Sequence, residues 1–372
     1  MTGSHRYVGV DLLRFIAACL VMFFHLALWS WVAPNGTTAS IVRGAVAFPE
    51  LQSAAAAGWI GVQIFFVISG FVIAFSAANA GPLAFLRRRF LRLFPGAVVT
   101  TAIVGAVLLG EGVAMLPSLG QRIFNSLTFN PFGPWIDGVY WTLGVEISFY
   151  ALVLLLLVIR RETWLPAVMT AIGLASTVFA LLRALAPAPA AALPVLAFAD
   201  SRTGELLLLK HGMFFCLGVM LWVASARGWS PARVAVAVVC VAGGLAQIAS
   251  VSVGPGVAPT AIAIWLAAMV LLFASVARDD IAARLAGRTA PAIALIGLST
   301  YPLYLLHDIT GAAVMRHLAL AGVPRFLALG AAMLAMIALA LAVTHYPERW
   351  LRRLLGRVPV GATAVRNGLP VA

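Results

Sequence analysis

Arg14 and His25 stand eleven residues apart in one apolar run, "YVGVDLLRFIAACLVMFFHLALWSWV". At 100° and 1.5 Å per residue, that spacing returns both side chains to within about 20° of one helical face, roughly 16 Å apart along the axis. A guanidinium and an imidazole inside so apolar a segment are costly to bury, and such residues tend to mark functional sites. An imidazole titrating near neutrality can take a proton and return it. Arg14 can bind an anion through paired N–H groups. Asp11, one turn earlier, is placed to pair with Arg14 and ease its burial.

Other apolar segments carry polar residues of the same kind. "YWTLGVEISFY" places Glu146 about a turn and a half into its segment, where a carboxylate level with His25 would orient the imidazole and raise its basicity. "FLRRRFLRLFP" sets Arg89 and Arg92 on one face, just before Pro95, which reads as the opening of the next helix. Four arginines there suit a phosphate-rich ligand such as the nucleotide part of coenzyme A, or equally anionic lipid headgroups. "ELLLLKHGMFFCLG" brings Lys210 and His211, the lysine able to snorkel to an interface. "LSTYPLYLLHDIT" spaces Tyr301, Tyr304 and His307 three apart along one stripe, with Pro302 predicted to open the helix locally and free a backbone carbonyl. Helix packing is the plainer account of Ser69, Gly70 and the Phe65–Phe66 pair. It also competes with chemistry at His25, Glu146 and the tyrosine stripe.

The elements that must hold these residues are membrane helices. The 372 residues are 63% hydrophobic and 10% charged, against the ~25% charged of ordinary soluble domains. About ten segments are long and apolar enough to cross a bilayer, near 8–32, 58–79, 94–116, 140–159, 164–186, 205–226, 234–253, 257–277, 292–315 and 326–346. The fold class is therefore all-α, a polytopic bundle of about ten transmembrane helices. The first segment is too long and too polar for a cleaved leader. With the N-terminus inside, the connections at Arg87–Arg92, Arg160–Arg161, Arg278–Arg288 and Arg349–Arg357 are cytoplasmic. Only Arg43, Arg122, Arg202, Arg316 and Arg325 sit in loops opposite. This asymmetry places both termini in the cytoplasm. It also accounts for the net charge of +13 without nucleic acid. Cys19, Cys216 and Cys240 lie in apolar runs without ligand spacing, so neither a disulfide framework nor a metal is expected. Residues 1–353 form one transmembrane domain, followed by a short cytoplasmic tail, 354–372, expected to be disordered. "APAPAAALP" reads as a mobile external loop.

Taken in order, these blocks resemble the acyltransferase-3 family of integral membrane O-acyltransferases. "DLLR", ten residues and then His25 are similar to its first-span signature. "GVQIFFVISGF", "RRRFLRLFP", "YWTLGVEISFY", "STYPLYLLH" and the closing "HYPERWLRR" are similar to its later blocks, so the resemblance runs from residue 7 to about 353. It implies an inner-membrane, multi-pass enzyme. The donor would be acyl-coenzyme A, acetyl-CoA above all, reached from the cytoplasm. The acceptor would be a hydroxyl of a carbohydrate or glycosylated molecule, such as a surface or exported polysaccharide. By motif match His25 is the catalytic residue with Glu146 beside it. Arg14, Arg89 and Arg92 hold the donor, and Tyr304, His307 and Lys210 are acceptor-side candidates. Two positions depart from the pattern: Gln63 replaces a common acidic residue, and Lys210–His211 stands where many members have Arg. The chain is also expected to lack the esterase-like domain that some members carry. The rival reading is a polytopic transporter or exporter with the same residues lining its path. Against it, the two halves show no internal repeat.

Overall fold

The computed structural model describes residues 7–78, 80–185 and 194–357. Among the described residues there is no strand, and nine helical stretches are long and apolar enough to cross a membrane. The main helices are α1 (Val8–Phe24), α2 (Gly61–Ala77), α3 (Pro82–Gly110), α4 (Trp141–Val158), α5 (Leu165–Leu185) and α6 (Gly212–Arg227). They continue with α7 (Pro231–Val251), α8 (Val257–Ala277), α9 (Ala290–Leu306), α10 (Ile309–Leu320), α11 (Arg325–His345) and α12 (Pro347–Gly356). Helix α6, apolar but only 16 residues long, fills the place of the expected sixth span. The break between α7 and α8 falls at the predicted Gly/Pro turn, where Gly254 and Gly256 take positive φ. Of the "APAPAAALP" stretch all but Pro194, and of the expected tail 354–372 the residues 358–372, lie outside the described residues; residues 354–356 still belong to helix α12.

Three segments depart from expectation in ways that bear on the site. The third helix does not open at Pro95. It starts a full three turns earlier at Pro82, a favourable first position for proline, and runs through Pro95 unbroken. The arginines therefore ride on the membrane helix itself rather than on a loop before it. The ninth segment is two helices, α9 and α10, parted at His307 and Asp308. The first segment keeps its helical course to Val32 but widens into a π turn over His25–Trp29. Single π turns inside α-helices recur at functional sites because the extra residue re-aims a side chain.

Helix α2 is the hub: the stretch Pro49–Ala77 that contains it is 78% buried over its most apolar part, against 28% for α8, which faces outward. It packs on α1, α4 and α6. The α2–α6 crossing is close because Gly70 and Gly218 face backbone. A Cβ on Gly218 would stand 2.0 Å from the Val67 carbonyl oxygen, and one on Gly70 2.2 Å from that of Phe215. Helix α1 packs on α9, where a Cβ on Gly297 would collide with the Asp11 carboxylate. Helices α3 and α9 also meet, and α12 folds back along the arginine-bearing half of α3. Helices α1 and α4 thus pack on α2, while α3 and α9 join them through their contacts with each other, α3 with α4 and α9 with α1.

Candidate active site

One internal cavity collects polar side chains from all of these helices. Arg14 comes from α1, Ser69 from α2, Arg89 and Arg92 from α3, Glu146 and Tyr150 from α4, and Tyr301 and Tyr304 from α9. Its volume is about 90 Å³. That is well under the ~300–1,000 Å³ of a pocket that encloses a drug-sized ligand, so it suits a narrow arm rather than a whole nucleotide. Three guanidiniums surround one carboxylate, so the cavity favours an anionic or strongly polar guest. Glu146 Oε1 accepts from Ser69 Oγ at 2.9 Å and from Tyr150 OH at 2.6 Å. Arg89 donates to Ser76 Oγ at 2.9 Å, and its guanidinium lies 5.7 Å from the centres of the Phe85 and Tyr150 rings.

Proline chemistry places Arg92. Pro302 has no N–H, so the carbonyl of Leu298 one turn earlier lacks its helical donor. Helix α9 nonetheless continues through Pro302, and Arg92 Nη1 reaches the Leu298 oxygen at 3.4 Å. The freed carbonyl anticipated from the sequence is thus met by a cavity arginine, whose guanidinium also lies 5.8 Å from the Tyr301 ring centre. Behind it, the buried Glu348 of α12 pairs with Arg352.

His25 lies outside this lining. Its Nδ1 is 2.9 Å from the Val21 carbonyl oxygen and 3.0 Å from Nε2 of His307. His307 is fully buried at the break between α9 and α10, and its own Nδ1 faces the Leu303 carbonyl at 3.2 Å. The expected pairing of Glu146 with His25 is corrected on this point: the donors on Glu146 are Ser69 and Tyr150, and the partner of His25 is another histidine. The physical reason is the π turn, where the imidazole meets His307 at the end of α9, while Glu146 lines the cavity among the arginines. Tyr304 links the two groups. It lines the cavity, accepts from Thr142 Oγ1 at 3.0 Å, and its ring centre is 5.6 Å from that of His307. Phe65 packs edge-on against Tyr304 and completes this wall.

Lys210 is not part of this assembly. It pairs with Glu205 at 2.9 Å and lines a separate crevice between α5 and α7. His211 is buried against Phe66 and Trp141, with no hydrogen-bond partner on either ring nitrogen. Beyond His307, Asp308 accepts from Thr38 at 2.8 Å and faces Asp137 in the preceding loop. Burial and the Asp308 charge push the Asp137 carboxyl well above the usual carboxylate range. Among the described residues there is no cluster of side chains able to hold a metal. Tyr301 stood in the tyrosine stripe read from sequence, whereas Ser69, Thr142 and Tyr150 were not singled out as site residues. Of these three, only Tyr150 carried a signal, lying at i+4 from Glu146.

Residues 7–345 match the family described as an acyltransferase domain. A 183-residue stretch is 32% identical to Nodulation protein 10 of Rhizobium leguminosarum bv. viciae, covering 43% of this chain and 47% of that protein. A 150-residue stretch is 28% identical to Acyltransferase MdmB of Streptomyces mycarofaciens, covering 37% of this chain and 36% of that protein. The chain thus spans less than half the length of either relative. No solved structure matches.

Proposed function

The chain belongs to the acyltransferase-3 family, and from that premise we propose that it moves an acyl group, acetyl above all, from acyl-coenzyme A to a hydroxyl of a carbohydrate or glycosylated acceptor. One observation carries the reading: a narrow cavity ringed by Arg14, Arg89 and Arg92 ends at Tyr304, and the His25–His307 pair lies directly beyond. In this reading the nucleotide stays at the basic face of the bundle, where the phosphates meet arginine. The pantetheine arm enters the cavity and brings the thioester toward His25. The acceptor approaches His25 from the other face. The arginine asymmetry supports a cytoplasmic donor side, cytoplasmic termini and an inner-membrane location.

His25 then acts as general base. It takes the acceptor hydroxyl proton as the oxygen attacks the thioester carbonyl, the C–S bond breaks, and the thiolate sulfur receives the proton from His25. Glu146 acts from within the cavity, holding Ser69 and Tyr150 and balancing the guanidiniums. Tyr304 and His307 serve the reaction from the wall between donor and acceptor. Lys210, paired with Glu205 in its separate crevice, serves a more distant acceptor contact. The names of the relatives support acyl transfer and go no further toward the acceptor. The test is purified protein in nanodiscs with radiolabelled acetyl-CoA and candidate glycans. Label appearing in an alkali-labile ester, with stoichiometric release of free thiol, supports the reading. Movement of glycan across the bilayer without thiol release would replace it with transport.

A further inference from the structure

Two buried imidazoles in hydrogen-bond contact impose a proton arrangement on each other. His307 Nδ1 faces the carbonyl oxygen of Leu303, an acceptor only, so it must carry a hydrogen to make that bond. In a neutral ring this leaves His307 Nε2 bare, an acceptor aimed at His25 Nδ1. His25 Nδ1 must then be the protonated nitrogen, which also suits its second neighbour, the Val21 carbonyl. The nitrogen left with a free lone pair is His25 Nε2.

We infer that His307 is the positioning residue of the reaction: it fixes His25 in the Nδ1–H form, so that Nε2 is the base, and it shares the positive charge that His25 acquires. The inference rests on the general-base role proposed for His25. When Nε2 takes the acceptor hydroxyl proton, the Nδ1–H bond to His307 becomes charge-assisted and strengthens. The carbonyl of Val21 can accept that hydrogen bond but cannot take up the proton; the His307 ring can. A neutral imidazole thus fills the place that a carboxylate holds in a serine-protease triad. A neutral partner suits this depth, because a carboxylate would add a buried charge to the resting state. The surroundings agree. Asp308, next to His307 in the chain, is turned to Thr38 and Asp137, and Tyr304 is engaged by Thr142.

Three variants of the full-length protein in nanodiscs test the assignment. His307→Leu keeps the bulk and removes the acceptor, and His307→Gln restores an acceptor that cannot take a proton. The expected result for His307→Leu is a fall in kcat of at least about tenfold with the KM for acetyl-CoA unchanged. His307→Gln should recover part of that loss. In both, the acidic limb of the kcat profile should move to lower pH, because the proton at His25 is no longer shared. Nitrogen-15 NMR of labelled histidine, assigned with His25→Ala, should show His25 as the Nδ1–H form in the wild type and a mixture in His307→Leu. A wild-type His25 signal of the Nε2–H form overturns the inference. So does a pH profile that stays fixed while activity falls, since a merely structural loss scales the rate without moving the profile. If His25→Ala itself retains transfer, the general-base reading fails, while the NMR signature still reports on the pair.

Discussion

At the scale of single residues, the site depends on a few groups whose loss has distinct signatures. His25→Ala should lower transfer by at least about 100-fold, the usual contribution of a positioned general base. Insertion should be untouched, because alanine is cheaper to bury than histidine. Radiolabel transfer normalised to protein in the membrane fraction checks both. Replacing Arg89 and Arg92 together by Ala should raise the KM for acyl-CoA and leave Glu146 with less opposing charge. Lys at both positions should recover only part, since an ammonium lacks the planar fork and cannot both reach Leu298 and stack on Tyr301. An unchanged donor KM in the alanine pair would assign these arginines to topology. Asp137 gives a prediction about stability. Its Oδ2 has no donor and it faces the charge of Asp308, so burial favours the protonated form of Asp137. A carboxyl raised in the folded state binds protons that the unfolded chain, at about pKa 3.9, has already lost. Folding stability therefore falls as pH rises from that value through the raised one. Asp137→Asn, which can still accept from Val139 N–H, should flatten this dependence. Melting curves at pH 5 and pH 8 should differ less in the variant than in the wild type.

At the scale of elements, the sequence placed helices well and their interruptions poorly. Apolar length alone marked the spans, and Gly254 and Gly256 marked the turn between α7 and α8. Pro95 misled because a proline reads as a boundary, yet a long helix packed on both sides tolerates one missing hydrogen bond. The π turn at His25 and the break at His307 left no trace in periodicity. Both are set by tertiary contacts, above all by the two imidazoles meeting across 282 positions of chain. The arginines, Glu146 and Tyr304 were legible as costly residues in apolar segments. Which of them share a cavity was not, because depth along one helix says nothing about rotation relative to another. Lys210 shows the same limit: its charge was visible, but its partner Glu205 and its separate crevice were not. At Pro302 a freed carbonyl was legible, but the expected local opening was not borne out, since the helix continues through the proline; the residue supplies an element-scale test. In Pro302→Ala a new N–H competes for the Leu298 oxygen and releases Arg92. The helix should gain stability while the KM for acyl-CoA rises roughly 2- to 10-fold, the range of one modest hydrogen bond. A lower or unchanged KM would mean that the Leu298 contact does not hold Arg92 in its working position.

At the scale of the whole molecule, the proposal requires donor and acceptor to meet inside the bundle from opposite faces. The cavity arginines sit toward the half of the protein where α12 folds back on α3, and His25 lies toward the other half of α1. Two exposed positions report on these faces: Leu86, beside the arginines on α3, and Trp29, one turn beyond His25. A cysteine at each, in a background with Cys19, Cys216 and Cys240 replaced, gives a labelling experiment in intact cells and in inverted vesicles. Leu86→Cys should react with a membrane-impermeant thiol reagent only from the cytoplasm, because arginine-rich span ends are retained there. Trp29→Cys should react only from outside. Acetyl-CoA should slow labelling at position 86, where its phosphates crowd the arginine cluster, and leave position 29 unaffected. Labelling of both from one face would overturn the orientation and remove the need for an acyl group to cross the bilayer. Correct sidedness without donor protection would keep the topology but separate the arginine cluster from coenzyme A, leaving those charges to anionic lipid.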